Sequence, residues 1–298
     1  MGYIPDTDRI SGPGLTAGHP RGGDHGTGHY TAGREGLTTA AVMLLEILGC
    51  HGGSVPKRRL PSFLINGHVL LEAGSVTSAL PLGAQASIEQ VLVSHAHLDH
   101  TVGLAFLVDN IQSTQTVAGR NATVTAAAIE PVIDDLRTYC FNNRLWPDFT
   151  KLPTPGAPAL RLQTLRAREA IEFGSLTVVP VPVQHSVPAS GFIIHDGRSG
   201  LVFSGDTGPT EEIWKVAREF KGLHAIIVET AFPNRLEDLA TVSGHFTPAL
   251  LQREMDKMPD APLWIYHIKP AHFEETAEEL ERLGSRIHIL EQDQTHTF

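Results

Sequence analysis

Four potential metal ligands fall within six residues of Ser94-His95-Ala96-His97-Leu98-Asp99-His100. Imidazole nitrogen and carboxylate oxygen are donors that zinc and its neighbours accept. In an extended chain His95 and His97 point to the same side, because alternate residues share a face. Asp99 and His100 sit where the chain turns into a helical stretch expected over Thr101 to Asn110. One pair can therefore hold one cation and the other pair a second. A hydrolytic site also keeps a coordination position open for water, so four residues do not complete two such sites. Further ligands must come from elsewhere in the chain.

The elements that would position them are strands. Ile88 to Val93 is a short β-branched run, long enough for a strand and too short for a helix, and the ligand cluster begins where it ends. Leu176 to Val183 is read as an edge or irregular strand because of Pro180 and Pro182, and it runs into His185. Gly200 to Ser204 runs into Gly205-Asp206-Thr207-Gly208, which puts a carboxylate where a bridging ligand is needed. His224 to Val228 ends at Glu229, and Leu263 to Tyr266 ends at His267. His245 stands just outside a helix start marked by Thr247 as N-cap and Pro248 as first residue. One edge of an α/β sandwich would collect all of these positions.

Other elements are expected as strands over Ala41 to Leu48, Ser62 to Ile65 and His68 to Glu72, the last two joined by an Asn66-Gly67 turn. Helices are expected over Ala126 to Tyr139 and Glu274 to Leu283, with Arg286 to Leu290 as a closing strand. Asn142, Trp146 and Phe149 mix aromatics with an amide. Such a segment suits a pocket that stacks a base and hydrogen-bonds its edge, and it suits an ordinary core equally well.

Composition narrows the function classes. With 298 residues, 41% hydrophobic and 19% charged, the chain can bury a full core. No apolar run approaches the roughly 18 residues that span a bilayer, which excludes a transmembrane protein. A formal charge of −10 argues against broad nucleic-acid binding, which depends on cationic side chains. Bound cations would supply local positive charge for an anionic substrate. Cys50 and Cys140 are too few for a disulfide framework and read as buried thiols. No secretory signal is seen, so a cytoplasmic location is expected. Residues 1–36 are rich in Gly, Pro, Thr and His, include His19, His25 and His29, and read as a flexible extension ahead of a domain spanning 37–298.

The order His-x-His-x-Asp-His, lone His, Gly-Asp-Thr, lone His resembles the metallo-β-lactamase superfamily, whose fold is a four-layer αββα sandwich. By position, the resemblance implies His95, His97 and His185 on one metal and Asp99, His100 and His267 on the other, with Asp206 bridging. It also implies that Glu72, ahead of Ala73-Gly74, supports the ligands. Within the superfamily the chain looks most like the class II cyclic-nucleotide phosphodiesterases. That likeness lies in Leu48 to Gly53, Ser94 to Leu104, Phe141 to Phe149, Ser243 to Pro248 and His267 to Pro270. It departs from the class II pattern at Thr101 and at Val108-Asp109.

The resemblance implies a small cyclic-nucleotide substrate and two divalent ions, zinc first, with manganese or iron(II) as alternatives. It implies substrate contacts from Asn142, Trp146 and Phe149, and leaves a homodimer open. A metal-held hydroxide would attack phosphorus, with His245 as general acid, oriented and kept protonated by Glu229. Asp99 is a second candidate for proton transfer. Competing readings are a tRNA 3′-end nuclease, which should carry a basic Gly-rich arm absent from this sequence, a lactone or thioester hydrolase, and a non-catalytic metal-binding protein, which would show gaps in the ligand set.

Overall fold

A computed structural model describes residues 43–117 and 122–298. The expected extension 1–36, its three histidines and the start of the strand expected from Ala41 lie outside the described residues. Two seven-stranded sheets dominate the fold. The first runs, edge to edge, as Thr295–Thr297, Leu44–Gly49, Ser62–Ile65, Val69–Leu71, Gln90–Leu92, Val124–Ile129 and Leu160–Leu165. The second runs as Ile287–Ile289, Leu263–Tyr266, Leu223–Glu229, Gly200–Phe203, Ser190–His195, Leu176–Pro182 and Ile171–Phe173.

Strand alternation sorts the side chains into layers. Val91 and Val93 pack with Leu104, Leu107, Val108 and Ile111 of the helix Leu98–Val117. Leu92, between them, packs instead with Phe192, Ile194 and Phe203 of the second sheet. On that sheet Ile226 and Val228 face Ile213, Trp214, Leu250 and Leu251 of the outer helices, while Ala225 and Ile227 face inward. The result is helix, sheet, sheet, helix, each layer a consequence of period-two and period-3.6 patterning. Full burial of each such aliphatic side chain stabilises by about 1.5–3 kcal/mol.

The helix expected over Ala126 to Tyr139 is not one element. Val124–Ile129 is a strand, hydrogen-bonded in parallel to both Gln90–Leu92 and Leu160–Leu165. The alanines favour helix intrinsically, but a slot between two strands outweighs a propensity worth a few tenths of a kcal/mol per residue. Ala126 and Ala128 face the helix layer and Ala127 the inter-sheet core. Helix begins only at Glu130, with Pro131 in its first turn, and it continues as the π-turn Leu136–Cys140. Leu160–Leu165 was not expected, and Leu98–Val117 is longer than expected. Pro180 and Pro182 lie beyond Ile171–Phe173, which pairs only with Leu176 to Val178, so there the strand is an edge, bonded on that side by the Arg168 N–H, which donates to the Pro180 carbonyl at 2.7 Å.

Topology places the site. Gly200–Phe203, Leu223–Glu229 and Leu263–Tyr266 run in parallel, as do Val69–Leu71 and Gln90–Leu92. Their C-terminal ends therefore open on one edge of the sandwich, where Asp206, Glu229, His267, Glu72 and His95 follow.

Candidate metal centre

The structure brings the histidines of all these strand ends together. His95, His97 and His185 each place one ligand atom within 4.8 Å of the others, and Asp99, His100 and His267 do the same. Asp206 Oδ2 touches both groups. It lies 3.2 Å from His100 Nε2, 3.0 Å from His267 Nε2 and 3.8 Å from His95 Nε2. The helix Leu98–Val117 starts early enough to carry Asp99 and His100 in its first turn, so the Asp99 carboxylate also meets the positive end of the helix.

Neighbouring groups hold several of these side chains. Ser94 Oγ lies 2.9 Å from His95 Nδ1, and His185 Nδ1 lies 2.9 Å from the Gly244 carbonyl oxygen. Glu72, fully buried, accepts from the Ser94 backbone N–H at 3.0 Å and faces His100 Nδ1 at 3.2 Å. The Tyr266 hydroxyl donates to Asp206 Oδ1 at 3.2 Å. Glu72 and His267 both hold left-handed backbone, with φ of 61° and 70°. For residues other than glycine that costs about 1–3 kcal/mol each, and it persists because the surrounding contacts over-determine it. Two glycines let the chain come close: a Cβ on Gly52 would stand 2.4 Å from the His267 carbonyl oxygen, and one on Gly244 2.8 Å from His185 Cα.

The donor set fits cations. His97 Nδ1 stands 3.1 Å from His95 Nε2 and 3.2 Å from His185 Nε2, so three ring nitrogens crowd one point. Nδ1 of His267 is buried without a hydrogen bond, and both ring nitrogens of His100 face carboxylates, Glu72 and Asp206, at 3.2 Å. An orphaned atom is costly unless something satisfies it. Burial keeps His95, His97, His185 and His267 below the ordinary histidine range, in the neutral form that ligates metals. Burial penalises the Asp206 anion, yet His100 and His267 hold it well below the usual carboxylate range.

Beside these groups stands a pair with different chemistry. His245 Nδ1 lies 2.7 Å from Glu229 Oε1, and Glu229 also accepts from the Thr207 and Phe246 backbone N–H groups at 3.1 and 3.4 Å. Burial and then the charge of Asp206 push the Glu229 carboxyl up, while burial pushes His245 down. Both shifts favour the neutral forms, against the expectation that Glu229 keeps His245 protonated. A His245 ring nitrogen is within 4.8 Å of ligand atoms of His185 and Asp206.

A cleft of about 600 Å³ opens on the His97 flank, walled by Val102, Phe106, Leu136, Tyr139 and Trp146. Trp146 meets Phe106 edge-on with ring centroids 5.0 Å apart. Phe149 is buried in the core behind the cleft. The Asn142 amide is spent on its own loop, donating to the Thr138 carbonyl at 2.7 Å and accepting from the N–H groups of Arg144 and Leu145. Sequence reasoning gave no role to Ser94, Tyr266, Gly52 or Gly244. Adjacency to a ligand was the only signal for the first two, and close approach is visible only in three dimensions.

The beta-lactamase superfamily domain matches residues 71–291. The chain belongs to that superfamily. This superfamily member is 30% identical over 289 residues to the "Probable 3',5'-cyclic-nucleotide phosphodiesterase" of Yersinia pestis, covering 79% of the chain and 80% of the relative. It is 26% identical over 244 residues to a ribonuclease Z of Pyrobaculum islandicum, covering 70% and 80%. The solved structure of unliganded yeast PDE1 superposes with a TM-score of 0.70 at 19% identity, covering 86% of this chain and 99% of that one. The αββα sandwich is the metallo-β-lactamase fold. Among the described residues no helix is long and apolar enough to cross a membrane.

Proposed function

We propose that this chain hydrolyses 3′,5′-cyclic nucleotides, cAMP or cGMP, to 5′-monophosphates, and that residues 37–298 form the hydrolase domain. Its relatives' names favour a phosphodiester. The observation that carries the reading is the His245–Glu229 contact of 2.7 Å beside two converging ligand groups. Two divalent cations, zinc in the first instance, would be held by His95, His97 and His185 and by Asp99, His100 and His267 with Asp206 between them. When bound they supply a hydroxide at neutral pH and neutralise phosphoryl charge.

The remaining chemistry belongs to the chain. Water oxygen bonds to phosphorus as the phosphorus–O3′ bond breaks, and the departing alkoxide needs a proton because it is a poor leaving group. His245 delivers that proton from its outer ring nitrogen, and Glu229 orients the ring through Nδ1. Asp99 is the alternative carrier. The nucleoside occupies the cleft on the His97 flank, where Trp146 offers a stacking face and Phe149 and Asn142 hold the loop that presents it.

The test compares cAMP, cGMP and an aryl phosphodiester with metal-loaded wild type and His245→Ala. Cyclic nucleotides should yield 5′-monophosphates, and His245→Ala should lose far more rate on them than on the aryl ester, whose leaving group needs no acid. Cleavage of the aryl ester alone would overturn the cyclic-nucleotide reading. Cleavage of a tRNA precursor in preference to both would favour a nuclease.

A further inference from the structure

One cation, Lys269, stands beside the ligand groups. Lys269 Nζ lies 3.8 Å from Asp99 Oδ2, and its side chain is 28% exposed. That separation exceeds a hydrogen bond, and Asp99 is the ammonium's one ion-pair partner among the described residues. The lysine backbone is fixed, because its N–H donates to the Ala231 carbonyl at 3.1 Å and Pro270 follows it into a helical turn.

Asp99 belongs to a ligand group with His100 and His267. Asp99, His100 and His267 would hold a cation through that carboxylate, which would leave the partly exposed Lys269 ammonium free to meet another anion. We infer that Lys269 is a phosphoryl-binding residue, which contacts a nonbridging oxygen of the substrate diester and of the product monophosphate. This rests on the phosphodiester reading above.

The chemistry gives the contact a direction. A diester carries one negative charge on its nonbridging oxygens, and addition of hydroxide raises that charge to two. An ammonium at that oxygen therefore binds the transition state more tightly than the substrate. Removing it should lower kcat as well as raise KM.

The experiment compares metal-loaded wild type, Lys269→Met and Lys269→Arg. The readouts are kcat and KM on an aryl phosphodiester, binding of inorganic phosphate by calorimetry, and bound metal by elemental analysis. A charge-assisted hydrogen bond lost from a phosphoryl oxygen predicts a fall of about 10- to 100-fold in kcat/KM. Phosphate binding should weaken in parallel, metal content should stay unchanged, and Lys269→Arg should restore most of the loss. Unchanged phosphate affinity in Lys269→Met overturns the inference. Loss of metal from Lys269→Met also overturns it, because the lysine then serves Asp99 instead. If wild type cleaves no phosphodiester, the functional reading falls, and the phosphate titration alone decides the lysine.

Discussion

Glu229 Oε1 and His245 Nδ1 stand 2.7 Å apart although the two residues are sixteen positions apart in sequence, and both are buried at the edge of the ligand cluster. Two residues joined this way act as a unit. His245→Ala should cost about 10²- to 10⁴-fold on a cyclic nucleotide, the range of general acid catalysis. Glu229→Gln should cost less, and the double variant should be no slower than His245→Ala alone. Additive losses in this cycle would show that the two residues act separately.

Trp146 walls the cleft and meets Phe106 at 5.0 Å. Stacking of a base on an aromatic ring contributes about 1–3 kcal/mol, so Trp146→Ala should raise KM for a cyclic nucleotide about tenfold. The aryl diester, which has no nucleobase to place, should change little. Equal effects on both substrates would make Trp146 a packing residue.

A Cβ on Gly52 would stand 2.7 Å from His267 Nδ1, whereas one on Gly156 would meet nothing within 4 Å. Gly52→Ala should displace His267, lower bound metal and reduce activity. Gly156→Ala should leave metal content, activity and Tm unchanged. Elemental analysis of both proteins, purified side by side, separates the outcomes.

Asp206 Oδ2 contacts His100 and His267 within 3.2 Å and reaches towards His95. Bound cations stabilise by mass action, about 2.7 kcal/mol at a ligand concentration one hundred times Kd. A chelator should therefore lower the Tm of the wild type. Asp206→Asn should bind less metal, melt lower, and respond less to the same chelator.

Burial pushes the Cys50 thiol up to about 12. Because the raised value favours the neutral thiol, only about one thiol in ten thousand is ionised at pH 8, and the thiolate is the reactive form. Cys50 should resist a thiol reagent in the folded protein until the pH approaches 12. Cys140 is shifted the same way by burial but is partly exposed, so it should react first. Peptide mapping after short labelling at pH 8 checks the order.

The local sequence carried the ligand spacing. His95, His97, Asp99 and His100 are near one another along the chain, so their types and a strand-to-helix transition were enough to read a ligand cluster. The αββα fold was legible through the family resemblance that this cluster carries, while β-branched runs such as Ile88 to Val93 marked individual strands. The N-cap at Thr247 was equally local, and its hydroxyl does accept from the Leu250 N–H at 3.2 Å.

What the chain could not declare by itself depended on groups far apart in sequence. Ala126 to Ala128 has no helix-breaking signal, and only the two flanking strands make it a strand. Asn142 and Phe149 looked like pocket residues, but the amide is consumed within its loop and the ring lies in the core, while Trp146 alone of the three lines the cleft. Tyr266 on Asp206, Gly52 under His267 and Lys269 beside Asp99 are contacts across parallel strand ends. Sequence patterning fixes which residues turn inward, because that is a property of local geometry. Which inward residues meet is decided by sheet order and register, and these emerge only when the whole core packs.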